Sequence, residues 1–199
     1  MCHYTSIGGL VLSLLANSIF WHVAAHSDQD ADRFVSLYVG RYSDTVLVKN
    51  LQFDHEFEGA YISVLSLGTC LAQYRRFLNL EIEGQMGMHS GSQHYQEINA
   101  AVVLRWLVFP WDRYLNTSFA FGNGLSYATA DPVLEIEKAK RGQTAQWLYY
   151  ILVEWAFSLQ GHPNWEIFWR THHRSGIYGR LADDNAGSNY IGLGLRRRF

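Results

Sequence analysis

The feature that most limits what this chain can fold into is an alternation of period two that recurs along most of its length. In the segment opening at Leu78, the positions Leu80, Ile82, Gly84, Met86 and Met88 alternate with Asn79, Glu81, Glu83 and Gln85. The next segment sets Ile98, Ala100, Val102, Leu104 and Trp106 against Glu97, Asn99 and Arg105. Leu115, Thr117, Phe119 and Phe121 then alternate with Asn116, Ser118, Ala120 and Gly122. Trp147, Tyr149, Ile151, Val153, Trp155 and Phe157 share a face opposite Glu154, and Trp165, Ile167 and Trp169 oppose Glu166, Phe168 and Arg170. Ile191, Leu193, Leu195 and Phe199 oppose Gly192, Gly194, Arg196 and Arg198. With two less regular segments, Phe34 to Tyr42 and Phe57 to Gly68, the number reaches eight. Successive side chains of a strand point to opposite faces, so the pattern predicts eight strands, each with two unlike faces.

A soluble sandwich would bury the apolar face and wet the polar one. Here the apolar face is the large, aromatic one, and the other mixes Gly, Ser and Ala with isolated charges. Small residues and a few charges suit the lumen of a narrow barrel. Continuous apolar faces rich in Trp and Tyr suit lipid and its interfaces. Composition agrees: 48% of residues are apolar, 15% aromatic and only 17% charged, with a net charge of -2. Those values exclude a disordered chain and a basic nucleic-acid binder. The expected fold is therefore all-β, an eight-stranded antiparallel transmembrane up-and-down β-barrel. Closure removes the strand edges that lipid could not satisfy.

No Asp, Glu, Lys or Arg precedes Asp28, and residues 7–21 form the longest apolar run. The run is short for a spanning helix, which needs about 20 apolar residues. It ends in Val23-Ala24-Ala25, so residues 1–25 read as a secretory signal peptide and 26–199 as the barrel. A retained anchor helix is the alternative. Only Cys70 then remains, too few for a disulfide. With the N-terminus in the periplasm, the upper loops are 43–56, 89–93, 125–143 and 176–187, and the lower turns lie near 69–75, 109–113 and 159–163. Long upper loops and short lower turns fit an outer-membrane barrel. The aromatic Phe199 on the last strand resembles the signal by which bacterial barrel-assembly machinery takes up its substrates.

Glu81, Glu83, Glu97, Arg105, Glu154, Glu166 and Arg170 fall on the inward face, where charges must pair. A structural Glu–Arg network is expected; a proton path is the sharper alternative, which no spacing favours. The pair His172-His173 suggests a metal at first sight, but neighbours on a strand point apart, so no metal and no cofactor are expected. Parity extends the outward face of the seventh segment through Thr171 and His173 to Ser175, and that of the eighth to Asn189. On one strand face, residues i and i+2 stand about 6–7 Å apart at Cα, within side-chain reach. His173, Ser175 and Asn189 thus gather at the upper rim, on the lipid side. A polar decoration of the interface would look the same; so would a Ser–His–third-group arrangement for acyl transfer.

His173-Arg174-Ser175 at the end of the penultimate strand, the loop Asn185-Ala186-Gly187-Ser188-Asn189 and the short strand to Phe199 resemble the lipid A 3-O-deacylase family, the PagL-like acyloxyacyl hydrolases. The resemblance implies an outer-membrane barrel acting on lipid A of lipopolysaccharide, with Ser175 as nucleophile, His173 as general base and Asn189 in the place of the family's acidic Glu. Where the family often has Asn after the nucleophile, Gly176 offers a backbone N–H as the oxyanion candidate. Asp183 and Asp184 are the alternative acids. A non-catalytic barrel with a structural or lipopolysaccharide-binding role is the alternative function.

Overall fold

The computed structural model describes residues 33–45, 57–177 and 179–199. The signal peptide expected over residues 1–25 lies outside them. The described chain forms β1 (Arg33–Ser43), β2 (Phe57–Tyr74), β3 (Leu78–Gly91), β4 (Gln96–Trp106), β5 (Asn116–Ala128), a short helix α1 (Val133–Lys138), β6 (Trp147–Ser158), β7 (Trp165–Ser175) and β8 (Gly187–Arg198). The eight strands close into a barrel in sequence order. Every neighbouring pair is antiparallel, and β1 closes on β8 in the register Leu37↔Leu195 and Tyr38↔Gly194. The expected up-and-down barrel is the fold.

Polarity is inverted relative to a water-soluble protein. Leu193 is 62% exposed, Ile167 61% and Met88 61%, whereas Glu81, Glu83, Glu97, Arg105, Glu154 and Arg170 are each 0% exposed. A continuous apolar outer wall of this kind is matched to acyl chains rather than water. Aromatic side chains flank the wall: Phe109 packs on Trp111 and Trp155 at the lower turns, and Tyr127 packs on Trp147 near the upper rim. Such belts sit where hydrocarbon meets headgroups.

The lumen is filled, not open. Glu154 from β6 accepts from Arg105, Arg170 and Arg196, at 2.8 Å, 2.5 Å and 2.7 Å for the shortest contact to each. Arg170 also holds Glu83 through both carboxylate oxygens, at 2.6 Å and 3.0 Å. Arg198 bridges Glu81 and Glu166, and Arg196 reaches Glu166. Four arginines thus balance four glutamates. The expected Glu–Arg network is present, with Arg196 and Arg198 joining it beyond the expected residues and Glu97 standing apart, against His89, His172 and Arg174. Gly194 makes room inside it: a Cβ there would collide with Phe168 and Tyr38, whose rings cross the lumen edge to face at 5.9 Å.

Three segment limits differ from the sequence reading. β2 runs on to Tyr74, through the stretch expected as a lower turn, because a bulge between Cys70 and Ala72 shifts the register and hides the alternation. The turn itself is residues 75–77. β3 reaches Gly91 and β5 reaches Ala128, so the upper loops begin later than expected. The helix α1, in the loop after β5, was not foreseen; at six residues it has no periodicity long enough to read.

Candidate active site on the outer wall

β7 and β8 place the three sequence-selected residues together. Their register pairs His173 with Asn189 and Ser175 with Gly187. His173 and Ser175 are half-buried and Asn189 is buried. The His173 Nδ1 lies 2.7 Å from Asn189 Oδ1. The amide orientation is settled by its other end, because Asn189 Nδ2 donates to the carbonyl of Thr45 at 2.8 Å. A backbone carbonyl only accepts, so the amide oxygen must face the imidazole. That oxygen also only accepts, so Nδ1 carries the proton. Neutral His173 is thereby held as the Nδ1–H tautomer, with Nε2 left as a lone-pair acceptor. This is the form a general base needs.

Ser175 stands two residues along the same outward face. Its Oγ accepts from the N–H of Ile177 at 3.2 Å, which leaves the hydroxyl proton available for donation. No hydrogen bond joins Ser175 to His173 in this conformation. Ile177 is β-branched and yet sits at φ 51°, a sterically costly backbone that clusters at functional sites. The Gly176 N–H, expected as an oxyanion donor, instead donates to the carbonyl of Ala186 at 3.0 Å. Asp183 and Asp184, the alternative acids, are engaged with the loop after β5. Asp183 accepts from the Arg141 N–H, and Asp184 pairs with Lys140 at 2.9 Å, which lowers its carboxyl pKa. Neither reaches His173.

On the opposite side of β7, His172 points into the lumen, as strand parity requires. Its Nε2 lies 2.7 Å from Glu97, and its Nδ1 lies 2.6 Å from the Tyr38 hydroxyl. His89 meets the second oxygen of Glu97 at 2.9 Å and the Tyr190 hydroxyl at 3.0 Å. The geometry lets each imidazole donate from Nε2 to the carboxylate and accept at Nδ1 from a phenol. Above them Arg174 meets Glu135 of α1 at 3.3 Å, and Glu135 also accepts from Ser188 and Thr144, each at 2.8 Å. Arg174 and Ser188 are the chain neighbours of Ser175 and Asn189. Of this inner layer the sequence placed Glu97 inward and set His172 on the face opposite His173; His89, expected in a loop, and the roles of the Thr45 carbonyl and of Glu135 gave no signal.

No protein-family profile matches the chain, and no curated protein does. Solved structures do. The outer-membrane enzyme PagL superposes with a TM-score of 0.58 at 12% identity, over 83% of this chain and 99% of that one. Neisserial surface protein A superposes with a TM-score of 0.50 at 10% identity, over 84% and 97%. The fold is that of bacterial outer-membrane eight-stranded barrels. At these identities the likeness concerns the fold alone.

Proposed function

We propose that this outer-membrane barrel is a lipid A deacylase that hydrolyses the 3-O-acyl ester with Ser175, His173 and Asn189. The observation that carries the reading is the His173–Asn189 hydrogen bond on the lipid face, with its tautomer fixed from Thr45. Rotation of the Ser175 side chain brings Oγ–H toward Nε2. Oγ then attacks the ester carbonyl as Nε2 takes its proton. The ester C–O bond breaks, and the proton passes from His173 to the leaving sugar oxygen. Water, deprotonated by the same nitrogen, attacks the acyl carbonyl; the bond to Ser175 Oγ breaks, the proton returns from Nε2 to Oγ, and the fatty acid leaves. A site on the outer wall suits a substrate whose chains leave the bilayer only at about 0.8 kcal/mol per CH₂. Gly176 can serve as the oxyanion donor only if its N–H lets go of Ala186. In this reading Phe199, 53% exposed at the closing strand, is the mark by which the barrel-assembly machinery takes up the chain.

The test is mass spectrometry of lipid A from cells expressing the wild type, Ser175→Ala or His173→Ala. Loss of one 3-hydroxyacyl chain with the wild type alone is the expected result, with all three proteins running as heat-modifiable barrels. The absent Ser175–His173 hydrogen bond favours the second reading, a non-catalytic barrel that binds lipopolysaccharide. Identical lipid A from wild type, Ser175→Ala and empty vector would select it.

A further inference from the structure

The exposed charges of the barrel are divided unevenly between its two ends. Arg33, Arg75, Arg76, Arg113 and Arg197 are all exposed at the end that carries the turns 75–77 and 107–115. None of the five has an ion pair among the described residues. Asp112, the acidic side chain of this rim among the described residues, is engaged within its own turn, where it accepts from the N–H groups of Phe109 and Thr117. Even with a terminal carboxylate at Phe199 the excess is positive. At the opposite rim both signs are present and pair, Lys138 with Asp44 and Lys140 with Asp184. Three of the five arginines lie over aromatic rings: Arg75 over Tyr74 at 5.7 Å, Arg113 over Tyr114 at 4.4 Å and Arg197 over Trp165 at 5.4 Å from the ring centroid.

The seam between β8 and β1 gives this charge a shape. Arg197 continues the outward face of Leu193 and Leu195, and Arg33 that of Val35 and Leu37. Val35 pairs with Arg197, so Arg33 is the diagonal neighbour of Arg197 on the same face, about 7–8 Å away. Trp165 pairs with Arg197 from the other side. Two like charges so placed on neighbouring strands repel each other unless an anion lies between them. Both side chains start from the lateral wall, beside a tryptophan and at the foot of the apolar surface of Leu37 and Leu195. That is the height at which hydrocarbon gives way to headgroups. An anion that carries its own acyl chains meets both parts of this surface at once, which a soluble polyanion does not.

We propose that this rim holds the phosphate of an anionic glycerophospholipid. Arg33 and Arg197 share its oxygens, Trp165 flanks the headgroup, and the acyl chains lie on Leu37 and Leu195. A guanidinium presents paired N–H donors that match phosphate oxygens. Short turns mark the periplasmic end of an outer-membrane barrel, so the lipid belongs to the inner leaflet. A choline headgroup sets a fixed cation beside the arginines and a glycerol headgroup adds none, so selectivity follows headgroup charge. The seam lies at the far end of β7 from Ser175, and the inference does not depend on the esterase reading.

The test uses the protein folded in neutral maltoside micelles doped with equal amounts of phosphatidylglycerol and phosphatidylcholine of the same chain length. Bound lipids are counted by native mass spectrometry. The wild type should retain phosphatidylglycerol in preference. Arg33→Gln with Arg197→Gln should reduce that preference about fivefold for each arginine removed. Arg141→Gln with Arg180→Gln, at the opposite rim, should leave it unchanged. Each protein is checked as a heat-modifiable barrel. Arg75→Gln with Arg76→Gln, in a turn outside the strand ladders, reads the same rim if the seam variant fails to close, with a loss of the same sign expected. Excess inorganic phosphate should not displace the lipid, because it has no chains to lay on the wall. Equal retention of the two lipids by the wild type, displacement by phosphate, or an unchanged preference in the rim variants overturns the proposal. An equal loss in the opposite-rim variant overturns it too, since overall charge would then set the preference.

Discussion

At the scale of single residues, the site depends on which atom of Asn189 faces His173. The Thr45 carbonyl makes that choice, and a neutral amide then orients the ring without adding charge. An imidazolium formed during acyl transfer therefore lacks the nearby negative charge that an acidic third member supplies. Asn189→Ala should lower kcat at least tenfold, since the ring loses both its tautomer and its rotamer. Asn189→Asp should raise kcat, because the carboxylate accepts from the same Nδ1 and stabilises the cation. Its loss of the Thr45 bond should register as a small drop in melting midpoint. Steady-state rates with a short-chain ester read both, and a slower Asp variant would show that orientation outweighs charge. His173, Ser175 and Asn189 were legible in the sequence because parity alone fixes the face of a strand residue. The occupied N–H of Gly176 was not legible, since it depends on how the loop 176–186 folds back.

At the scale of the element, α1 is the piece that ties the loops to the barrel. Lys138 pairs with Asp44 at 2.5 Å, Lys140 with Asp184, and Glu135 reaches down to Arg174 and Ser188. Burial raises the Glu135 carboxyl above the ordinary carboxylate range, against the opposing pull of Arg174, Ser188 and Thr144. The inner layer is consistent with that direction. Two carboxylates, Glu97 and Glu135, face the one guanidinium of Arg174, and their mutual repulsion adds to the direction that burial sets. A folded pKa above the unfolded value of about 4.3 means that the folded state holds the proton longer. Stability from this group is therefore full below the unfolded value and is lost as pH rises through the folded one. Thermal midpoints of wild type and Glu135→Gln should coincide in acid, with the Gln variant the more stable on the alkaline side. The reverse order would mean that the Arg174 ion pair outweighs burial. None of this was legible beforehand. Strand parity reaches from Ser175 back along β7, but a six-residue helix with Pro132 at its start leaves no pattern, and its partners are distant in the chain.

At the scale of the whole molecule, the barrel was the most legible part, since eight alternating segments with apolar outer faces admit few closed arrangements. The places where the reading slipped, β2 past Cys70 and the upper ends of β3 and β5, are those where a bulge or a loop breaks the period. Arg170→Ala strands Glu83 and weakens the hold on Glu154, both wholly buried, and should cost on the order of 3–5 kcal/mol. The readout is the denaturant midpoint of the heat-modifiable form, and an unchanged midpoint would count against a structural network. The wiring of that network also bears on assembly. Glu154 on β6 needs Arg105 from β4, Arg170 from β7 and Arg196 from β8, while Glu81 on β3 needs Arg198 from β8. Pairs do form within hairpins, Glu81 with Arg105, Glu154 with Arg170 and Glu166 with Arg198, but each of these hairpins keeps an excess charge within the network that only other strands balance. Half of the arginines arrive with the last strand, so β8 acts as a latch: an unclosed sheet keeps its carboxylates hydrated and its interior wet, and docking of β8 against β1 expels that water and locks the charges in a single step.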